Sequence, residues 1–250
     1  MVLQAQEGRL TTSAARILVA TAVPAERDAV ARAFADGTTV VRLPGSALLH
    51  RTGEGYDLLA AGVGPALAAA GTATALTAAA LDGRPYALVV SAGIGGGFQP
   101  EAPVGSLVVA DEITAADLGA ETAGGFMPVT ELGFGTVSHR PPDPLVRVTA
   151  GATGARPGAV LTVSTVTGTA ARAAELRARH PHALAEAMEG FGVAEAAAGH
   201  GVPVLEIRAV SNPVGPRDRA AWRIADALAA LTEAFGKLAP ALESWNPHDQ

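Results

Sequence analysis

Four stretches of this chain carry side chains able to do chemistry, and each also has a plain structural use. Thr21-Ala22-Val23-Pro24-Ala25-Glu26 follows a short apolar run. Pro24 suits the first turn of a helix, which puts Glu26 in that turn. A carboxylate there compensates the helix dipole, or it faces a cleft as a general base. Ser91-Ala92-Gly93-Ile94-Gly95-Gly96-Gly97-Phe98 has enough glycine for backbone to pass close to a ligand. A tight structural turn uses the same residues, and neither a P-loop ending nor a dinucleotide spacing is present. Met188-Glu189 reads as a solvated Glu beside a core Met. Alternatively, the carboxylate accepts from two vicinal ribose hydroxyls while the thioether packs on the sugar. In Val204–Asn212, Glu206 and Arg208 share one face of an apolar strand and pair if buried. Asn212 ends that strand, either as a turn residue or as an amide offering donor and acceptor to a heterocycle edge.

The elements that position these residues follow from the pattern of apolar runs. Strands are expected at 17–22, 58–61, 87–91, 106–110, 160–164 and 204–210. Helices are expected at 25–34, 66–81, 170–179, 183–199 and 222–238. The alternation predicts an α/β fold with a largely parallel, buried sheet. Ligands collect at the carboxyl ends of such strands, where the four stretches lie. Thr114–Pro144, with its glycines, Pro141-Pro142, Phe126 and Phe134, reads as a long excursion, functional or disordered, rather than a domain boundary. The ordered domain is expected over 17–242, with tails at 1–16 and 243–250.

Composition narrows the classes of function. The 250 residues are 49% hydrophobic, so one sizeable core can form. A net charge of −6 with both signs scattered gives no nucleic-acid footprint. The chain has no Cys, which rules out thiolate chemistry and fits a reducing cytosol. No run reaches the ~20 apolar residues of a membrane span, and the N-terminus lacks a secretory signal. The small-residue stretch 66–80 suits close packing, on the sheet or on a partner.

In this order and on this frame, the four signals resemble the purine nucleosidase and nucleoside phosphorylase family, which includes the methylthioadenosine/adenosylhomocysteine nucleosidases. The resemblance runs from Ile17 to Leu238, most of the chain. It implies a single-domain, three-layer αβα fold with a mostly parallel but mixed central sheet flanked by helices. It also implies that Glu26 activates the attacking water, and that Met188 and Glu189 hold the ribose. Gly93, Ile94 and Gly95 then lie behind the ribosyl bond, with Ile94 where many nucleosidases carry Ser. Val166 and Thr167 fall where the family lines the base pocket. The Gly-Asp-Pro motif and phosphate-binding Arg of the phosphorylases are missing.

At Asn212, adenine-selective nucleosidases carry Asp, which can donate to N7 while accepting from the exocyclic amine. A 6-oxopurine shows acceptors at both N7 and O6, and an Asn NH₂ serves that edge. A buried polar mismatch of about 1–3 kcal/mol gives roughly 5- to 150-fold discrimination, here toward hypoxanthine. Asn212 and the run Ser-Asn-Pro-Val-Gly-Pro-Arg-Asp at Ser211–Asp218 are similar to one branch of the family. That branch hydrolyses a hypoxanthine nucleoside with a carboxyphenyl-ketone extension at its 5′ side, in menaquinone biosynthesis. The carboxylate of that extension calls for a basic partner. Arg217 is first in line, followed by Arg219, Arg140 and His139, each otherwise a solvated surface charge, and Phe126 and Phe134 either pack on the ring or anchor their loop.

The resemblance implies no cofactor, no metal, a small nucleoside as ligand, a homo-oligomer (a dimer or a multiple of dimers) and a cytoplasmic setting. A phosphorylase acting on inosine or guanosine, an adenine nucleosidase and a non-catalytic purine sensor are the rival readings.

Overall fold

Ile17–Thr21 is buried along its whole length, so both of its faces must be covered. Two separate hydrophobic clusters cover them. Leu18 and Ala20 enter one with Leu59, Val89, Ala68 and Phe191, while Ile17 and Val19 enter the other with Leu58, Val90, Val30 and Leu231. This period-2 division sets up three layers. The computed structural model describes residues 16–53 and 55–243.

The chain runs β1 (Ile17–Thr21), α1 (Pro24–Ala31), β2 (Thr38–Arg42), β3 (Leu48–Thr52), β4 (Tyr56–Ala60), α2 (Pro65–Leu81), β5 (Leu88–Gly97), β6 (Leu107–Ala115), β7 (Gly119–Thr122) and β8 (Gly125–Pro128). It continues with β9 (Ser138–His139), α3 (Asp143–Thr153), β10 (Arg156–Thr162), α4 (Ala170–Arg179), β11 (Ala183–Ala187), α5 (Gly190–Gly199), β12 (Val204–Pro213) and α6 (Ile224–Glu243). The main sheet has the order β11-β10-β6-β12-β5-β1-β4-β3-β2, with β9 added on β6. Its centre is parallel, β12 meets β6 antiparallel, and β2-β3-β4 is an antiparallel edge. Strand β11 also pairs antiparallel with the end of β5, so five strands close back on themselves beside the site. Helices α1, α3 and α6 cover one face, and α2 with α5 covers the other. This is the expected single-domain, three-layer α/β fold with a mixed central sheet. Among the described residues, no helix is long and apolar enough to cross a membrane.

Three local expectations are corrected. The glycine stretch 93–97 is the second half of β5, not a loop. A Cβ on Gly97 would lie 2.1 Å from the Ala102 carbonyl, and one on Gly95 would lie 2.9 Å from the Glu186 carbonyl. These glycines therefore let neighbouring backbone close over the strand. The helix expected at 183–199 divides into β11 and α5. Ala183–Ala187 has helix-forming residues, but a place between β10 and β5 overrides propensity. The excursion 114–144 is largely built, with β6 reaching Ala115, the β7–β8 hairpin and β9. The hairpin β2–β3 was not anticipated, because its alternation is weak and half exposed. The expected tails, apart from Arg16 and Glu243, lie outside the described residues. Arg16 is held by hydrogen bonds to Asp57, Tyr86 and the Arg84 carbonyl.

Candidate active site

The carboxyl ends of β1, β5 and β12, the loop after β10 and the β11–α5 junction surround a cavity of about 220 Å³. Glu26, Ile94, Gly95, Val166, Thr167, Met188, Glu189, Asn212 and Arg217 all line it. Of the residues to which the family resemblance gives a catalytic, ribose or base role, only Gly93 is not on this lining; it lies against Glu26 and Arg208.

Glu26 is the third residue of α1, in its first turn, and also lines the cavity. Its Oε2 accepts from the Ala22 and Val23 amides at 2.9 and 3.3 Å, and its Oε1 accepts from the Ile94 amide at 2.9 Å. The bond to Val23 is half of a capping box, the half a valine N-cap allows. The bond to Ile94 is not a capping interaction; it ties the carboxylate to β5 at the cavity. Burial pushes the Glu26 carboxyl above its ordinary pKa, Arg208 and the amide donors pull it down, and Glu189 pushes it up again.

Behind Glu26 lies Arg208, fully buried. Its Nε donates to Glu206 Oε1 at 2.8 Å and its Nη2 to Ser91 Oγ at 2.9 Å. Its Nη1 faces Glu189 Oε2 at 3.4 Å. One guanidinium therefore pairs with Glu206 and Glu189 and acts through its charge on a third buried carboxylate, Glu26. Burial also raises the pKa of Glu206, with Arg208 opposing. The pairing expected of Glu206 and Arg208 is realised, but it belongs to a larger network than the sequence indicated.

Two glycines make room for that network. A Cβ on Gly93 would lie 2.6 Å from both Arg208 Nη1 and Glu26 Oε1. A Cβ on Gly190 would lie 2.1 Å from Glu206 Oε2. Gly93→Ala is therefore expected to fold but to displace Glu26 and Arg208, lowering kcat about 100-fold, since misplacement near 1 Å costs that much. Steady-state kinetics beside a thermal melt checks this; unchanged kcat would show that the network has slack.

Glu189 stands at the N-cap position of α5 without a side-chain bond to that helix, and its Oε1 accepts from the Gly64 amide at 3.2 Å. Met188 precedes it on the cavity wall. Asn212 stands next to a register shift in β12. Ser211 Oγ lies 2.8 Å from Asn212 Oδ1, and Asn212 Nδ2 donates to the Pro213 carbonyl at 2.9 Å. The second hydrogen of that NH₂ is left for a ligand.

Thr167 and Val166 lie in the loop between β10 and α4. Thr167 donates from its amide to Glu186 Oε1 at 2.8 Å and from its hydroxyl to Glu186 Oε2. Glu186 is buried and lines the cavity. Burial raises its pKa, and the two Thr167 donors hold it down. The helix expected over 183–199 gives this residue no direction toward the site, so the sequence pattern does not single it out. A strand reading puts Glu186 and Met188 on one face, two residues apart.

Arg217 lines the cavity with its guanidinium 5.2 Å from the Trp222 ring, and Trp222 lines it too. Arg219 stands 5.9 Å from the same Trp222 ring without lining the cavity, and the remaining two basic candidates are engaged elsewhere. His139 pairs with Glu195 at 2.7 Å and Arg140 with Glu112 at 2.7 Å. Phe126 lies under Arg179, and Phe134 is 63% exposed. None of these four lines the cavity. Among the described residues, no group of three or more His, Asp or Glu is placed to hold a metal ion.

The phosphorylase superfamily model matches residues 16–243, and the chain belongs to that superfamily. Futalosine hydrolase of Streptomyces coelicolor is 80% identical to it over 234 residues, 94% of this chain and 99% of that protein. Among solved structures, the methylthioadenosine/adenosylhomocysteine nucleosidase of Colwellia psychrerythraea in complex with adenine matches with a TM-score of 0.78. That match is 20% identical and covers 92% of this chain and 96% of the nucleosidase. Native futalosine hydrolase of Helicobacter pylori also gives 0.78, at 14% identity over 91% of this chain and 98% of its own. Equal likeness to an adenine-bound nucleosidase and to a futalosine hydrolase shows that the fold does not choose the base; side chains must.

Proposed function

We infer that this chain hydrolyses the N-glycosidic bond of futalosine, giving hypoxanthine and dehypoxanthine futalosine, a step in menaquinone biosynthesis. The observation that carries this reading is one cavity joining Glu26, Glu189 and Asn212, in a chain 80% identical to a futalosine hydrolase. Glu26, as a carboxylate, takes a proton from water as that water attacks the anomeric carbon. The ribosyl group passes through an oxocarbenium-like state, as in glycoside hydrolysis. Glu189 orients it through the 2′ and 3′ hydroxyls, with Met188 against the sugar and Gly93–Gly95 behind the breaking bond. The departing purine gains negative charge, and the Asn212 NH₂ donates to it at the N7–O6 edge. Val166 and Thr167 flank the base. Arg217, steadied on Trp222, meets the carboxylate of the 5′ extension. A homo-oligomer and a cytoplasmic setting belong to the same reading, taken from the family resemblance; exposed Leu67 and Leu81 on α2 are in keeping with a partner there.

The test compares kcat/KM for futalosine, inosine, methylthioadenosine and adenosylhomocysteine. Futalosine is expected to lead, and preference for an adenine nucleoside overturns the reading of the base. Asn212→Asp is expected to cost about 5- to 150-fold on futalosine, because a carboxylate then opposes the acceptors of a 6-oxopurine. An undiminished rate in that variant removes Asn212 from base recognition.

A further inference from the structure

We propose that Glu186 is a specificity-determining residue that accepts a hydrogen bond from N1–H of the 6-oxopurine, opposite Asn212. The proposal rests on the futalosine reading and adds to it the second edge of the base. In the sheet register, Glu186 on β11 and Asn212 on β12 are both partners of Gly96 on β5, one from each side. Adjacent strands lie roughly 4.8 Å apart, so the two backbones stand about 10 Å apart with a residue lacking a side chain between them. A Cβ on Gly96 would lie 3.0 Å from Val214 Cγ2 and 3.3 Å from Asn212 Nδ2, so glycine keeps the strand low between Glu186 and Asn212. A purine laid across Gly96 meets Asn212 with its N7–O6 edge and Glu186 with its N1 side.

The chemistry of Glu186 suits that side. An ionised carboxylate has about four lone-pair directions, and the Thr167 amide and hydroxyl use two of them. The others remain for a donor on the ligand. Hypoxanthine presents N1–H, a donor. Adenine presents N1 without hydrogen, an acceptor, which a carboxylate repels. Asn212 can donate to N7 of either purine, so Glu186, facing N1–H in hypoxanthine and a bare N1 acceptor in adenine, is the contact that separates the two bases.

The experiment is a specificity ratio with Glu186→Gln. Its side-chain oxygen still accepts from the Thr167 amide and its NH₂ can meet the Thr167 hydroxyl, so the loop keeps its tie. Futalosine and its 6-amino counterpart, identical except at the base, are assayed with both proteins. The expected result is a loss of about 10- to 100-fold in kcat/KM on futalosine, with the 6-amino compound unchanged or improved. An equal loss on both compounds overturns the proposal and leaves Glu186 as a tie for the Thr167 loop. An unchanged ratio and unchanged rates overturn it as well. A wild-type protein inactive on futalosine instead overturns the proposed function itself, an outcome visible before any variant is made.

Discussion

Glu26→Gln is expected to lower kcat on futalosine by about 1,000-fold or more while the protein stays folded. The loss follows from the geometry at the end of β1. The carboxylate is held between α1 and β5 by the Ala22, Val23 and Ile94 amides, so it cannot move aside for a water to substitute. A Gln keeps one accepting oxygen but turns an NH₂ toward one of those donors. That mismatch costs about 1–3 kcal/mol, and a chain of this length loses about 2–4 °C in Tm per kcal/mol. A melt and steady-state kinetics on the same preparation separate the two effects. Near-normal turnover in the variant would reduce Glu26 to a helix-end charge. The pH profile gives a second check. A general base must be ionised, and burial raises the Glu26 pKa. The wild-type kcat/KM is therefore expected to fall as pH drops through a value above that of an exposed glutamate, and Glu26→Gln is expected to lose that limb.

Arg208→Met is expected to destabilise the protein by about 3–5 kcal/mol, because it strands buried carboxylates without their cation. Glu206 is fully buried and its partner is Arg208 Nε. In the double variant Glu206→Gln/Arg208→Met the fully buried carboxylate that paired with Arg208 Nε is gone, and only the charges of Glu26 and Glu189 stay without their cation. Much of the stability should return, since replacing both members of a buried pair by neutral groups is often close to neutral. Activity should not return, because Glu26 and Glu189 still lack the guanidinium between them. Thermal or denaturant unfolding of the two variants reads the first effect and turnover reads the second. A single variant as stable as wild type would show that the network carries no net charge cost.

The legible parts of this molecule were those where local pattern and burial agree. Ile17–Thr21 is an apolar run that is indeed covered on both faces, and Pro24 does open α1, so Glu26 could be placed from the sequence. Met188-Glu189 was found by type and order, although its local structure was misread. Ala183–Ala187 has the composition of a helix, and only its position between β10 and β5 makes it a strand. That misreading hid Glu186, whose direction depends on strand period. The glycines of 93–97 looked like a loop because their cause is remote: Arg208, Glu26, Glu186 and Ala102 all press on them from other elements. Glu206 and Arg208 stood out as charges in a buried strand, but their three-carboxylate network joins residues 26, 189 and 206, which no local pattern links. Arg217 was chosen for nearness in sequence to Asn212, and Trp222, which flanks it, is set there by the turn into α6.

The central claim is hydrolysis of a hypoxanthine nucleoside at this cavity, and its most direct test is the product spectrum with futalosine, with and without phosphate. The expected result is stoichiometric release of hypoxanthine and dehypoxanthine futalosine at a rate that phosphate does not change. Release that depends on phosphate and yields a ribosyl 1-phosphate product, or no release of hypoxanthine at all, would contradict it.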